Sequence, residues 1–225
     1  MSKRTKTIGL FGGTFDPIHC GHVKAAEDVQ RTFSFDRILF IPSYIPPHKE
    51  SEDVASAEHR LKMVELALSS HVRFFPSSIE IDAEGMSYSI VTLNRIKEMF
   101  PQTEVFFLLG VDAFLDIETW KDYEDVLEQC AFVVMSRPGF RLEEAKNTLP
   151  DKYSQRILEV FGPIPEEKDG RSVHKIYLLS ITPLDISSTE VRKRVRRNQS
   201  IEGLVPENVE NYIKEKGLYL RKNEF

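Results

Sequence analysis

The stretch GLFGGTFDPIHCGH, Gly9–His22, runs from an apolar strand through a glycine pair into two histidines three residues apart. Gly12 and Gly13 would let the backbone approach a ligand and adopt dihedrals that a Cβ forbids. His19 and His22 are expected in the first turn of the helix that follows, where residues three apart are neighbours. Backbone N–H groups at a helix start carry partial positive charge. Together these features read as an anion site with two imidazole donors, suited to phosphate. Other readings stay open. The stretch could be a tight turn with two solvated histidines. Asp16, His19 and His22 could ligate a metal, although no further histidines or carboxylates at suitable spacing complete a shell. Cys20 could be a nucleophile at a helix N-terminus, but no base with its orienting partner is visible around it.

Working outward, short apolar runs alternate with helical periodicity. TIGLFG (7–12), RILFIP (37–42), VRFFP (72–76), SIEID (78–82), EVFFLLG (104–110), AFVVMS (131–136) and HKIYLLS (174–180) read as strands. Val23, Ala26, Val29 and Phe33 mark one helix stripe; Leu61, Val64 and Leu68 mark a second, and Ile90, Leu93, Ile96 and Phe100 a third. Continuously apolar strands alternating with amphipathic helices predict an α/β fold, a doubly wound, Rossmann-like parallel sheet with helices on both faces. Ligands of such folds bind beyond the carboxyl ends of the strands. The glycine turn falls there, and so do GVD after VFFLL and SRPG after FVVM. The stretch from Phe140 to Arg171 is polar and irregular, and FGPIPEEKDGR (161–171) reads as a surface loop. No repeat or low-complexity linker divides the chain, so residues 1–225 are read as one domain.

The net charge of −5 argues against an electrostatic nucleic-acid partner. No apolar run approaches the ~18–20 residues that span a bilayer, so no membrane association is expected. MSKRTKTIGLFGG passes from a basic patch straight into a strand, unlike a secretory signal. Cys20 and Cys130 form neither a disulfide framework nor a metal spacing, which fits a reducing cytoplasm. Association into a homo-oligomer is compatible with these features.

An anion must then be captured by local donors, and EVRKRVRRNQS (190–200) is the basic cluster that could supply them. Ser187 followed by Glu190 reads as a capping box, and a capped helix start is also an anion site. Thr189 and Arg192 face the same side, and Arg192 offers a planar fork of donors suited to phosphate. Lys193, Arg194, Arg196 and Arg197 cannot all face one ligand and read as a solvated face. His48 and Lys49 sit on a proline-stiffened loop. Trp120 has polar flanks that suit a stacking surface, and Asp112 and Arg137 fall at strand ends.

On these residues the chain resembles a family. GGTFDPIHCGH is similar to the HxGH signature of the nucleotidyltransferase superfamily that includes class I aminoacyl-tRNA synthetases, and ISSTEVRKRV (186–195) to its ISxTxxR phosphate motif. PPHK (46–49), SYS…T (87–92), GVDAF…W (110–120), SRPG (136–139) and LVPENVENYIKEKGLY (204–219) resemble bacterial nicotinate-nucleotide adenylyltransferases. The resemblance spans Gly9 to Tyr219. It departs from the family at Val91, where an acidic residue often precedes the threonine, and over Phe140–Arg171.

The resemblance implies transfer of AMP from ATP to nicotinate mononucleotide, giving deamido-NAD and pyrophosphate, with Mg²⁺ arriving on ATP and no protein metal site. His19, His22 and Arg192 are the implied catalytic residues. ATP would be held by Gly12, Gly13, Thr14, Phe15, His19, His22, Gly110, Asp112, Ser187, Thr189 and Arg192. Nicotinate mononucleotide would be held by Lys49, Ser87, Tyr88, Thr92, Trp120 and Arg137. Rivals are transfer to another acceptor (nicotinamide mononucleotide, phosphopantetheine, or a cytidylyl transfer), a metal-dependent phosphohydrolase, and a nucleotide-binding regulator without turnover.

Overall fold

The computed structural model describes residues 5–45, 54–164 and 175–220. Within them lie strands β1 (Lys6–Gly13), β2 (Arg37–Pro42), β3 (Phe74–Pro76), β4 (Thr103–Gly110), β5 (Ala131–Met135), β6 (Ile157–Val160) and β7 (Ile176–Leu179). They form one sheet in the order β3-β2-β1-β4-β5-β7-β6, and every pairing is parallel. The chain winds outward from β1 to β3, then crosses back to place β4 on the other side of β1. That reversal leaves a crevice beyond the ends of β1 and β4, where open α/β sheets bind ligands.

Side chains alternate along each strand and feed two separate cores. Phe11, Phe40, Phe106, Leu108, Val133 and Tyr177 face α1 (Cys20–Phe33), α2 (Ala57–Leu68), α6 (Ser188–Arg196) and α7 (Glu207–Lys216). Leu10, Leu39, Phe107, Leu109 and Val134 face the side carrying α3 (Ser89–Met99), α4 (Val111–Leu115) and α5 (Tyr123–Leu127). The Rossmann-like, doubly wound sheet expected from the sequence is the one observed. Among the described residues no helix is long and apolar enough to cross a membrane.

Three expectations change. Residues 78–82 form a turn, not a strand: Asp82 N–H donates to the Ser78 carbonyl at 2.8 Å, and the Ser78 hydroxyl donates to Asp82 Oδ2 at 2.6 Å. Serine and aspartate four apart offer the backbone this local alternative to a ladder. Between Phe140 and the end of the second described segment, the irregular stretch contains 3₁₀ turns at Leu142–Asn147 and Asp151–Arg156 and then β6. β6 lies at the sheet margin, so its partly exposed faces lack the apolar run that marks an inner strand. In α2 the buried stripe is Ala57, Arg60, Val64 and Ala67, together with Met63 and Leu68; Leu61 is only half-buried. The helix turns a charged residue, not Leu61, into the protein.

Gly9 is required by space at the sheet centre. A Cβ there would lie 2.9 Å from Leu108 Cδ1 and 3.3 Å from the Phe35 ring. Gly9→Ala should therefore cost about 1–3 kcal/mol, as overpacking does. Urea unfolding monitored by far-UV circular dichroism measures it, with a lowered midpoint and an unchanged slope expected.

Candidate active site

The loop leaving β1 carries the site, and the structure assigns its residues different tasks from those the glycines suggested. Neither Gly12 nor Gly13 has a positive φ. Gly12 has nothing within 4 Å of a would-be Cβ, which leaves its backbone open to close approach, whereas Gly13 faces the Phe15 ring at 3.2 Å. The left-handed residue is Phe15 itself, at φ 49. A bulky residue adopts that conformation only where its surroundings enforce it. Here the buried ring is gripped edge-on by Phe11 and His22, with centroids 5.7 and 5.1 Å away.

Beneath the loop lies Arg60 of α2, 1% exposed. Its guanidinium donates to the carbonyls of Thr14 (2.8 Å), Tyr44 (3.1 Å) and Ala55 (3.0 Å). The nearby Asp16 carboxylate opposes the effect of burial, which pulls the Arg60 pKa below its usual range. Sequence reasoning missed Arg60. The available signal was its place on a helix stripe otherwise made of Ala57, Val64 and Ala67.

His19 caps α1, and the rings of His19 and His22 stack with centroids 3.6 Å apart. Gly21 makes this possible, since a Cβ there would lie 3.0 Å from His19 Nδ1. His22 Nδ1 accepts the His19 N–H at 3.2 Å, so a neutral His22 carries its proton on Nε2. Burial, with the Arg137 guanidinium adding to it, lowers the His19 pKa to about 4, and the ring is neutral at pH 7. The helix start is less open than expected. Cys20 N–H donates to the Leu204 carbonyl and His22 N–H to the His19 carbonyl, both at 2.9 Å. The Cys20 thiol pKa is raised by burial, the reverse of an activated nucleophile.

α6 docks onto the same loop. The Ser188 hydroxyl donates to the Pro17 carbonyl at 2.9 Å. Arg192 donates to the Asp16 carbonyl at 2.7 Å, lies 3.4 Å from Asp16 Oδ2, and reaches Thr189 Oγ1 at 3.5 Å. Ser187 Oγ accepts from Glu190 N–H at 3.2 Å, but the Glu190 carboxylate pairs with Arg194, so only half of the expected capping box forms. His19, His22, Ser187, Thr189 and Arg192 therefore lie on two helix starts joined through residues 16 and 17.

Beyond β4, a Cβ on Gly110 would sit 2.4 Å from Asp112 Oδ1, so only glycine leaves room for that carboxylate. Asp112 Oδ2 accepts from Arg137. Asp112 Oδ1 and His19 Nδ1 are buried polar atoms with no hydrogen-bond partner among the described residues. Native proteins seldom leave such atoms unpaired, and those that occur require a reason.

Toward α3, Trp120 is half-buried with its ring edge-on to Phe107, centroids 6.2 Å apart. The Lys121 ammonium lies 4.7 Å from the Tyr88 ring centroid, which brings the Trp120 turn beside the start of α3. Two of the residues expected to contact substrate have side-chain partners inside the protein. Thr92 is buried, and its hydroxyl donates to Glu80 Oε1 at 2.6 Å. Ser87 Oγ accepts the Tyr44 N–H at 2.9 Å. Both hydroxyls tie loops together. Glu80 also supplies an acid to Thr92 from upstream, while Val91 is exposed. Lys49 lies outside the described residues.

Among the described residues no three His, Cys, Asp or Glu side chains gather as a metal shell. Asp16 Oδ1 accepts from Ala55 N–H at 3.1 Å and from Tyr219 O–H at 2.7 Å, and Oδ2 faces Arg192. The donor set of imidazoles, a guanidinium and helix starts fits a metal that enters on phosphate oxygens.

A parallel sheet with an HxGH helix start and an ISxTxxR helix start at its crevice defines a nucleotidyltransferase, and residues 10–194 match the Cytidylyltransferase-like family. A Desulfatibacillum aliphaticivorans protein described as a probable nicotinate-nucleotide adenylyltransferase is 42% identical over 217 residues, covering 95% of this chain and 99% of that protein. A Moorella thermoacetica protein of the same description is 40% identical over 220 residues, 96% of this chain and 93% of its own. The chain belongs to the nicotinate-nucleotide adenylyltransferase family. The solved Plasmodium falciparum nicotinic acid mononucleotide adenylyltransferase complexed with NaAD shares the fold, with TM-score 0.72 over 95% of this chain and 97% of that one, at 23% identity.

Removing Arg60 leaves three carbonyls unpaired and takes away one of the two positive charges near Asp16. Arg60→Met should destabilise the protein by roughly 3–5 kcal/mol. A denaturation midpoint within experimental error of wild type would show that Arg60 is not the anchor of the loop.

Proposed function

We propose that this chain joins ATP and nicotinate mononucleotide to give deamido-NAD and pyrophosphate. The observation that carries the reading is the meeting of the HxGH helix start and the ISxTxxR helix start at the crevice where β1 and β4 end, with Arg192 fixed to the loop between them by the Asp16 carbonyl. The relatives' names add the acceptor.

A phosphate oxygen of the mononucleotide attacks the α-phosphorus of ATP, and the bond to the leaving pyrophosphate breaks in line. The attacking oxygen is already anionic, so no protein nucleophile is needed. Catalysis reduces to positioning and charge stabilisation. His22, with its proton on Nε2, donates to the phosphates, and His19 lends a neutral polar edge beside it. Arg192, Ser187 and Thr189 at the start of α6 hold the pyrophosphate end. Gly12, Gly13, Thr14 and Phe15 form the backbone floor, and Asp112, steered by Arg137 and given room by Gly110, accepts a hydroxyl of the adenosine sugar. Mg²⁺, carried by the triphosphate, would supply charge neutralisation there. Trp120 stacks on the pyridine ring beside Tyr88. Lys121, which the sequence reading did not select, adds a cation near the nicotinate carboxylate, and Lys49 remains a proposed phosphate contact.

Measuring pyrophosphate release from ATP with each acceptor tests this. Nicotinate mononucleotide should exceed its amide by at least about tenfold in kcat/KM, because the amide leaves a buried donor unpaired. Parity, or preference for the amide, would defeat the nicotinate assignment. ATP binding without turnover on any acceptor would favour the regulator.

Loss of the His22 imidazole should lower kcat about 10²–10³-fold with little change in KM, the usual cost of one preorganised donor. Steady-state kinetics of folded His22→Ala decides it, and unchanged turnover removes His22 from the mechanism.

A further inference from the structure

The tail LVPENVENYIKEKGLY figures in the family resemblance but has no part in the chemistry just derived. In the structure it returns to the phosphate loop. α7 ends at Gly217, whose φ is 59, and the chain turns again at Tyr219 with φ 65. A tyrosine in the left-handed region is a true outlier and needs something to hold it there. What holds it is Asp16: the phenol donates to Oδ1 at 2.7 Å, from 203 residues away in sequence. Burial first, then the Asp16 carboxylate, push the phenol pKa above its usual range, so it remains a donor throughout the physiological pH range.

Asp16 is also where Arg192 is fixed. The guanidinium donates to the Asp16 carbonyl at 2.7 Å and faces Oδ2 at 3.4 Å. One carboxylate therefore receives the C-terminal phenol on one oxygen and the phosphate-binding arginine on the other. Its third partner, Ala55 N–H at 3.1 Å, comes from the entrance to α2. A buried acid with these partners has one orientation that satisfies them all.

We infer that Tyr219 is a positioning residue of the nucleotide site: its hydroxyl fixes the Asp16 carboxylate, and Asp16 fixes the Arg192 fork for the phosphates of ATP. This rests on the reading of Arg192 as an ATP-phosphate ligand. Tyr219 itself touches no substrate. The C-terminal turn, remote from the crevice in sequence, thus belongs to the nucleotide site.

The same helix supplies the control. The Tyr212 hydroxyl lies 2.9 Å from His59 Nδ1, a comparable phenol bond between α7 and α2 that does not involve Asp16. Tyr219→Phe and Tyr212→Phe each delete one oxygen, so both should fold. In Tyr219→Phe the KM for ATP should rise on the order of tenfold, with the KM for nicotinate mononucleotide unchanged. Tyr212→Phe should keep wild-type kinetics. Calorimetric titration with a non-hydrolysable ATP analogue should show the same tenfold weakening in Tyr219→Phe alone. Combined with Arg192→Lys, Tyr219→Phe should add little further loss, because both act on one contact. Equal effects of the two phenylalanine variants on both substrates, or fully additive losses with Arg192→Lys, would reduce Tyr219 to a tail anchor and overturn the inference. If wild-type protein binds the ATP analogue but turns over no acceptor, the transferase reading fails while the binding comparison still decides the role of Tyr219.

Discussion

The Arg60 guanidinium, shut away from water and divided among the carbonyls of Thr14, Tyr44 and Ala55, is the constraint around which the site is built. Those carbonyls belong to the loops after β1 and β2 and to the approach to α2. Loops seldom have enough buried apolar surface to fix themselves, and their polar backbone must be satisfied. A single planar donor set meets three of those needs at once and brings a positive charge that Asp16 answers. Because Asp16 also receives Arg192, the ordering of the first loop is transmitted to the start of α6. Tyr44 carries it the other way: its N–H is held by Ser87 and its carbonyl by Arg60, which ties the approach to α3 to the loop after β1.

Much of this was legible in the sequence because the residues concerned have short-range signatures. Strand runs such as EVFFLLG and the helix stripe Val23, Ala26, Val29 follow from local periodicity, and they sufficed for the sheet and its crevice. His19, His22 and Arg192 could be read because each sits at a fixed spacing from a helix start. The polar flanks of Trp120 agree with its half-buried position. What escaped depends on partners far away in the chain. Arg60 shares a helix stripe with Ala57, Val64 and Ala67, but the three carbonyls that explain a buried charge there come from other segments. The partners of the Thr92 and Ser87 hydroxyls, Glu80 and Tyr44, come from other segments and cannot be read from the motif alone. Gly13 looks like a dihedral requirement, whereas it clears space for Phe15, which takes the strained conformation itself.

Several charged and titratable groups of the crevice are held by fixed partners. The His19 pKa of about 4 keeps that ring neutral across ordinary pH. The Arg137 guanidinium is paired with Asp112, and Arg192 is directed by Asp16. A site arranged in this way reorganises little when negative charge shifts between phosphates, which is the property electrostatic stabilisation requires.

The contact between Asp16 and Tyr219 closes a loop of 203 residues, nearly the whole chain. Contacts of that span form late, because the entropy of closing the loop must be met before they can repay it. During synthesis, the β1 loop emerges early and waits while the remaining strands and helices are added, at roughly 5–20 residues per second. The loop that carries Asp16 is then completed only when the turn at Tyr219 has been made. Fragments that stop short of Tyr219 retain every residue of both phosphate motifs, yet they lack the hydroxyl that closes the circuit.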